Sequence, residues 1–140
     1  MQSLKSGVRK VSEEMNTNHK GRILCTEDDA DTRELLRLLL EAEGFKVTSA
    51  DDAGHAISLA MAEDFDLYLL DNWIQGLAGD LLCRKLREFD STTPILFYSG
   101  AAFESDKARA MEAGAQGYIV KPAYPNELTS EILRLISPKE

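Results

Sequence analysis

The sequence predicts an α/β domain, a five-stranded parallel sheet with five helices on both faces. Three observations predict it. Short apolar runs alternate with longer helical runs five times along the chain, the order that repeated strand–helix–strand units produce. The short runs are apolar nearly throughout, as in Leu67-Tyr-Leu-Leu70, which suits strands covered on both sides. Glycines stand where two of the longer runs stop, at Gly44 and Gly114. A length of 140 residues accommodates one such domain, and right-handed crossovers leave few topologies for it.

Residues 1–20 read as an N-terminal tail, with the domain spanning 21–140. Leu4, Val8, Val11 and Met15 fall on one face of a potential short helix, and Asn16 to Gly21 resembles a linker. Arg22 to Thr26 is the first strand. Ala30 to Glu43, with Leu35, Leu36, Leu38, Leu39 and Leu40, is expected to be a well-buried helix. Asp28 or Asp29 could cap its start. Phe45 to Ala50 is the second strand, and Ala53 to Glu63 a helix with Asp51 or Asp52 as its cap. Asp66 to Leu70 is the third strand and runs directly into Asp71. Gly79 to Phe89 is a helix with Leu81, Leu82 and Leu86 inward. Pro94 to Tyr98 is the fourth strand, opened by a proline where the missing N–H matters least. Glu104 to Ala113 is a helix, Gln116 to Val120 the fifth strand, and Asn126 to Ile136 the last helix, with Leu128, Ile132, Leu133 and Ile136 on its apolar side.

Composition excludes several classes of function. No apolar run approaches the roughly 18 residues of a membrane span, and the N-terminus has no signal-peptide core, so a cytoplasmic address is expected. With 24 acidic residues against 16 basic ones, the formal charge of −8 argues against direct DNA binding, which depends on Lys and Arg at phosphates. Cys25 and Cys83 are expected to be small buried thiols, because two distant cysteines make no zinc site.

The chemistry gathers at the strand ends. In an open parallel sheet, ligands bind at the carboxyl ends of the strands. Glu27, Asp28 and Asp29 follow the first strand, Asp71 the third, Ser99-Gly100 the fourth and Lys121-Pro122 the fifth. Carboxylates brought together raise one another's pKa. A divalent cation resolves that conflict, and Mg2+ favours a few carboxylates together with water and phosphate oxygens. A lysine adds a fixed positive charge and a serine a neutral donor. Such a set suits a phosphoryl group in transit, with a carboxylate able to act as the nucleophile.

On these residues the chain resembles the receiver domain of two-component response regulators. The resemblance covers Gly21 to Ser137. It rests on Ile23-Leu-Cys-Thr-Glu-Asp-Asp29, on Leu69-Leu-Asp71 with Gly79 eight residues later, on Tyr98-Ser-Gly100, and on Ala113-Gly-Ala-Gln-Gly-Tyr-Ile-Val-Lys-Pro122. It implies a flavodoxin-like, doubly wound fold and a set of roles. Asp71 would be the phosphoacceptor for a histidine kinase or phosphotransfer protein. Glu27 and Asp28 would hold Mg2+ with Asp71 and the main-chain carbonyl of Trp73, Asp28 directly and Glu27 partly through water. Ser99 would turn toward the phosphoryl oxygen, Lys121 would pair with it, and the Lys121–Pro122 bond would be cis. Tyr118 would be the aromatic that moves inward when Ser99 is recruited. An unknown output partner would bind about Phe103–Ile136.

The chain also departs from the family pattern. Ile74-Gln75 replaces a frequent Met-Pro, which implies a more mobile loop. Trp73 is large for its place and could shield an acyl phosphate, while Ala101 offers no side chain to orient water. Gln116, Gly117 and Glu131 stand where charged pairs often build a dimer, which favours a monomer or weak dimer. Only Pro138-Lys-Glu140 follows the last helix, so either a stand-alone receiver or a piece of a longer chain is expected. The alternative function is a phosphorylation-independent interaction module, a class that usually lacks one of the acids or the lysine. A phosphatase of the haloacid dehalogenase type would place a second Asp where Trp73 stands.

Overall fold

The computed structural model describes residues 19–137. In chain order its elements are β1 (Arg22–Thr26), α1 (Ala30–Ala42), β2 (Lys46–Ala50), α2 (Ala53–Ala62), β3 (Leu67–Leu70), β4 (Trp73–Ile74), β5 (Leu77–Ala78), α3 (Gly79–Arg87), β6 (Ile95–Ser99), α4 (Glu104–Ala113), β7 (Gly117–Val120) and α5 (Pro125–Ile136). Five strands form one parallel sheet in the order β2-β1-β3-β6-β7. The expected helix through Leu4, Val8, Val11 and Met15 lies outside the described residues. Of the expected tail, His19 and Lys20 are described, and the Lys20 N–H donates to the Gly44 carbonyl at 2.8 Å.

Alternation along each strand divides the core in two. Ile23, Cys25, Leu67, Leu69 and Leu96 face α1 and α5, meeting Leu36, Leu40, Leu128 and Ile132. Leu24, Tyr68, Leu70, Ile95 and Phe97 face the opposite side, where α2, α3 and α4 contribute Ala56, Ala60, Leu82, Leu86 and Ala110. The sheet is therefore covered on both faces, and β3 is buried along its whole length. Strand order reverses beside β1, with β2 on one side and β3 on the other. That reversal opens a crevice at the carboxyl ends of β1 and β3.

Several local expectations are corrected. Helix α1 is not buried all round: Leu36 and Leu40 are, whereas Leu35 and Leu38 are 56% and 53% exposed. Five leucines within six positions exceed what one helical face can hold. Leu81 and Leu133 likewise face outward, leaving Leu82, Leu86, Leu128 and Ile132 to the core. Strand and helix ends move by one or two residues, the helix expected to reach Phe89 ending at Arg87, and β6 includes Ser99 as its last member. The main omission is the β4–β5 ribbon. Where the sequence implied a looser loop, Trp73 pairs with Ala78 and Ile74 with Leu77, across a turn with Gly76 at φ +92°.

The caps are settled as well. Asp29 accepts from the Thr32 N–H at 2.9 Å and hydroxyl at 2.7 Å, so it caps α1 and leaves Asp28 out of that role. Asp52 accepts from the His55 N–H at 2.7 Å and caps α2. Gly44 and Gly114 take φ values of +102° and +118° beyond the ends of α1 and α4. Among the described residues no helix is long and apolar enough to cross a membrane.

Candidate functional site

The crevice brings three strand ends onto one ammonium. Lys121, just past β7, places Nζ 2.9 Å from Glu27 Oε1 and 3.2 Å from Asp71 Oδ2. These contacts join groups 94 and 50 residues apart in the chain. The sheet ladder sets their positions: the Asp71 N–H reaches toward the Thr26 carbonyl, and the Lys121 N–H donates to the Ser99 carbonyl at 2.8 Å. The Lys121–Pro122 bond is cis, as the resemblance implied.

Glu27 is 3% exposed, with its second carboxylate oxygen accepting from the Asp29 N–H at 3.2 Å. Burial pushes its pKa up; the Lys121 hydrogen bond opposes this and the Asp71 charge adds to it, for a net rise. For Lys121, burial works downward, but the bond to Glu27 and the negative charge of Asp71 prevail and hold it as a cation. Two carboxylates thus share a single ammonium in a partly buried crevice. The nearby Cys25 thiol is pushed up to about 12, by burial first and then by the Glu27 charge, so it stays protonated and inert.

Asp71 is shaped by its own neighbours. Its Oδ1 accepts from the Asn72 N–H at 2.6 Å, and the Gly79 N–H closes the loop onto the Asn72 carbonyl at 2.7 Å. That last bond and the two-residue turn make Trp73 and Ala78 a non-hydrogen-bonded pair of the ribbon. The Trp73 carbonyl is therefore not consumed by the ladder. Its indole is 67% exposed and covers little of its surroundings.

Ser99 and Tyr118 meet on the other side of the crevice. Ser99 is buried, and its Oγ accepts from the Ala101 N–H at 3.1 Å, which leaves the hydroxyl proton to donate elsewhere. Tyr118 stacks on Phe97 with ring centroids 5.6 Å apart and donates its hydroxyl to the Ala101 carbonyl at 2.7 Å. Burial raises the Tyr118 pKa; a hydrogen bond with Ser99 works against it, and the charge of Asp106 adds to it. Ser99 and Tyr118 are thus coupled through one loop, Gly100–Phe103.

Of the expected site residues, Glu27, Asp71 and Lys121 are in direct contact, while Ser99 and Tyr118 form the adjoining wall. Asp28 is exposed beside them. Among the described residues no three acidic, histidine or cysteine side chains already converge as a metal cage. In kind, though, the donors suit Mg2+: hard carboxylate oxygens and an unconsumed carbonyl, where a single ammonium leaves two acids incompletely neutralised. Sequence reasoning missed Arg33, whose guanidinium holds the Glu27 carbonyl at 2.9 Å, and Tyr98, which lies beside Lys121. Arg33 falls one helical turn into α1, so its proximity could have been read from the helix start.

The fold and this site define a class. The family model of the response regulator receiver domain matches residues 23–133, and the chain belongs to that family. It is 37% identical over 123 residues to the aerobic respiration control protein ArcA of Escherichia coli strain K12, covering 88% of this chain and 50% of that protein. It is 34% identical over 122 residues to the transcriptional regulatory protein ResD of Bacillus subtilis strain 168, covering 87% of this chain and 50% of ResD. The chain therefore spans about half the length of the curated relatives it matches. A CheY-like receiver domain protein from Methanospirillum hungatei superposes with a TM-score of 0.78 at 29% identity, covering 82% of this chain and 92% of that one.

Proposed function

We propose that this receiver is a switch thrown by Mg2+-dependent phosphorylation of Asp71, with a histidine kinase or phosphotransfer protein as donor. The observation that carries the reading is the Lys121 ammonium held between Glu27 and Asp71. An Asp71 carboxylate oxygen attacks phosphorus as the P–N bond of a phosphohistidine breaks, and the imidazole leaves with the bonding electron pair. Lys121 stands within reach of the incoming phosphoryl oxygens. Ser99, whose oxygen accepts from Ala101, would turn its hydroxyl proton from Tyr118 to donate to one of them. Glu27, Asp28, Asp71 and the Trp73 carbonyl would hold Mg2+, which when bound offsets the negative charge gathered there.

Recruitment of Ser99 alters its contacts with the loop that Tyr118 holds through Ala101, and the change is read on the α4–β7–α5 face, about Phe103–Ile136, by a protein partner. Glu131 on that face is paired within its own helix to Arg134 at 2.6 Å, which supports a monomer or weak dimer; a cytoplasmic setting belongs to the same proposal.

Incubation with acetyl phosphate and Mg2+ tests the reading. Acid-labile phosphate should appear on the wild-type chain at up to one per molecule, and be lost in Asp71→Asn. No label in the wild type points instead to a phosphorylation-independent interaction module, and label that survives in Asp71→Asn places the phosphoryl group on another residue.

A further inference from the structure

We propose that Tyr98 is a positioning residue that holds the Lys121 ammonium over the phosphoacceptor; this rests on the reading of Asp71 given above. Tyr98 and Ser99 are successive residues of β6, so they face opposite sides of the sheet. Ser99 lines the wall with Tyr118. Tyr98 belongs to the α1–α5 side, half-buried, beside Ile119 in the strand register. There Lys121 Nζ lies 5.6 Å from the centroid of the Tyr98 ring, within cation–π range. The Tyr98 hydroxyl oxygen also accepts a long contact, 3.4 Å, from the Ala123 N–H, on the far side of Pro122. One residue therefore touches both the tip of Lys121 and the loop that follows it.

The chemistry explains why an aromatic face serves here. Lys121 reaches the crevice on a stem of four rotatable bonds, and its side chain is 24% exposed. Glu27 and Asp71 hold its tip, but the Asp71 contact must be exchanged for a phosphoryl oxygen as transfer proceeds. A third carboxylate would bind the ammonium too firmly and add negative charge against the incoming group. A ring attracts a cation through its quadrupole and brings no net charge. Tyr98 thus limits where Lys121 can go without competing for it. A leucine of similar bulk would fill the space and give no such attraction.

The test compares Tyr98→Phe, Tyr98→Leu and, as a packing control from the same cluster, Ile119→Ala, each in the full chain. The rate of labelling by acetyl phosphate with Mg2+ should fall about threefold to tenfold in Tyr98→Leu. It should stay near wild type in Tyr98→Phe and in Ile119→Ala. In lysine-labelled protein without phosphodonor, the ε-methylene protons of Lys121 should carry an upfield ring-current shift in wild type and Tyr98→Phe and lose it in Tyr98→Leu. A wild-type chain that labels while Tyr98→Leu labels equally fast overturns the role of Tyr98 alone. So does an equal loss in Ile119→Ala, which would reduce Tyr98 to core packing. A wild-type chain that takes no phosphate removes the phosphoacceptor reading, and this role with it.

Discussion

Gly79 shows how far a single hydrogen atom controls the site. A Cβ there would stand 2.2 Å from the Asp71 carbonyl oxygen and 2.9 Å from both Asn72 Cα and the Phe97 ring. Two of these three atoms are backbone, so no rotamer change relieves the clash. The Gly79→Ala chain should lose about 1–3 kcal/mol of stability in urea unfolding, and its labelling by acetyl phosphate should slow because Asp71 is displaced. An unchanged unfolding midpoint would show that the loop gives way freely. In the sequence, Gly79 was visible as a residue eight places after Asp71, but the reason for it was not, since the close approach is made by main chain. The same limit applied to Glu27. Its type and strand-end position pointed to a metal, whereas its bond to Lys121 depends on a strand 94 residues away.

Elements were legible wherever a local rule decided them. Gly44 and Gly114 ended their helices, Pro94 preceded its strand, and the apolar run into Asp71 was a buried strand. What composition could not show was how much of a leucine-rich helix the sheet would cover, since that depends on which neighbours arrive. The β4–β5 ribbon was also hidden: its two-residue strands are too short for any periodicity. Yet it has an anchor. Ile74 is fully buried among the α2–α3 side chains, while Trp73 beside it is open. The ribbon thus hangs from Ile74 and presents Trp73. Removing that anchor, Ile74→Ala, should cost about 2–5 kcal/mol, and the emission of Trp73, the sole tryptophan, should report a changed environment. A variant with wild-type stability and emission would mean that the turn at Gly76 alone holds the ribbon.

Across the whole molecule, the two edges of the sheet respond to protons with opposite sign. At the carboxyl edge the Glu27 pKa is raised, by burial first, so its charge costs stability at neutral pH and that cost is relieved as pH falls. Beyond the opposite end of β3 sits Asp90, buried, accepting from the Tyr68 hydroxyl at 2.6 Å, the Thr93 hydroxyl at 2.7 Å, and the N–H groups of Thr92 and Thr93. Burial pushes the Asp90 pKa up, but these bonds outweigh it and bring the group from 3.8 to about 2. A depressed acid stabilises the fold fully above its unfolded pKa and ceases to as pH drops through its folded one. Asp90 should therefore contribute about 2 kcal/mol that is lost between about pH 4 and pH 2. Arg87 ties this corner together, donating to the Asp90, Thr93 and Gly114 carbonyls, so the loss should loosen the joins between α3, α4 and β6 at once. Replacing Tyr68 by Phe removes the 2.6 Å bond to Asp90. The variant should be about 1–2 kcal/mol less stable than wild type near pH 7, and the gap should narrow toward pH 2, as Asp90 takes up its proton in the folded chain. Urea unfolding at pH 7, 4 and 2.5 measures this directly, and a gap that stays constant across the series would place the acid sensitivity elsewhere. The arrangement separates two demands on one small domain: its acid-sensitive fastening lies at the amino edge of the sheet, while the carboxyl edge keeps crowded carboxylates that an incoming cation can relieve.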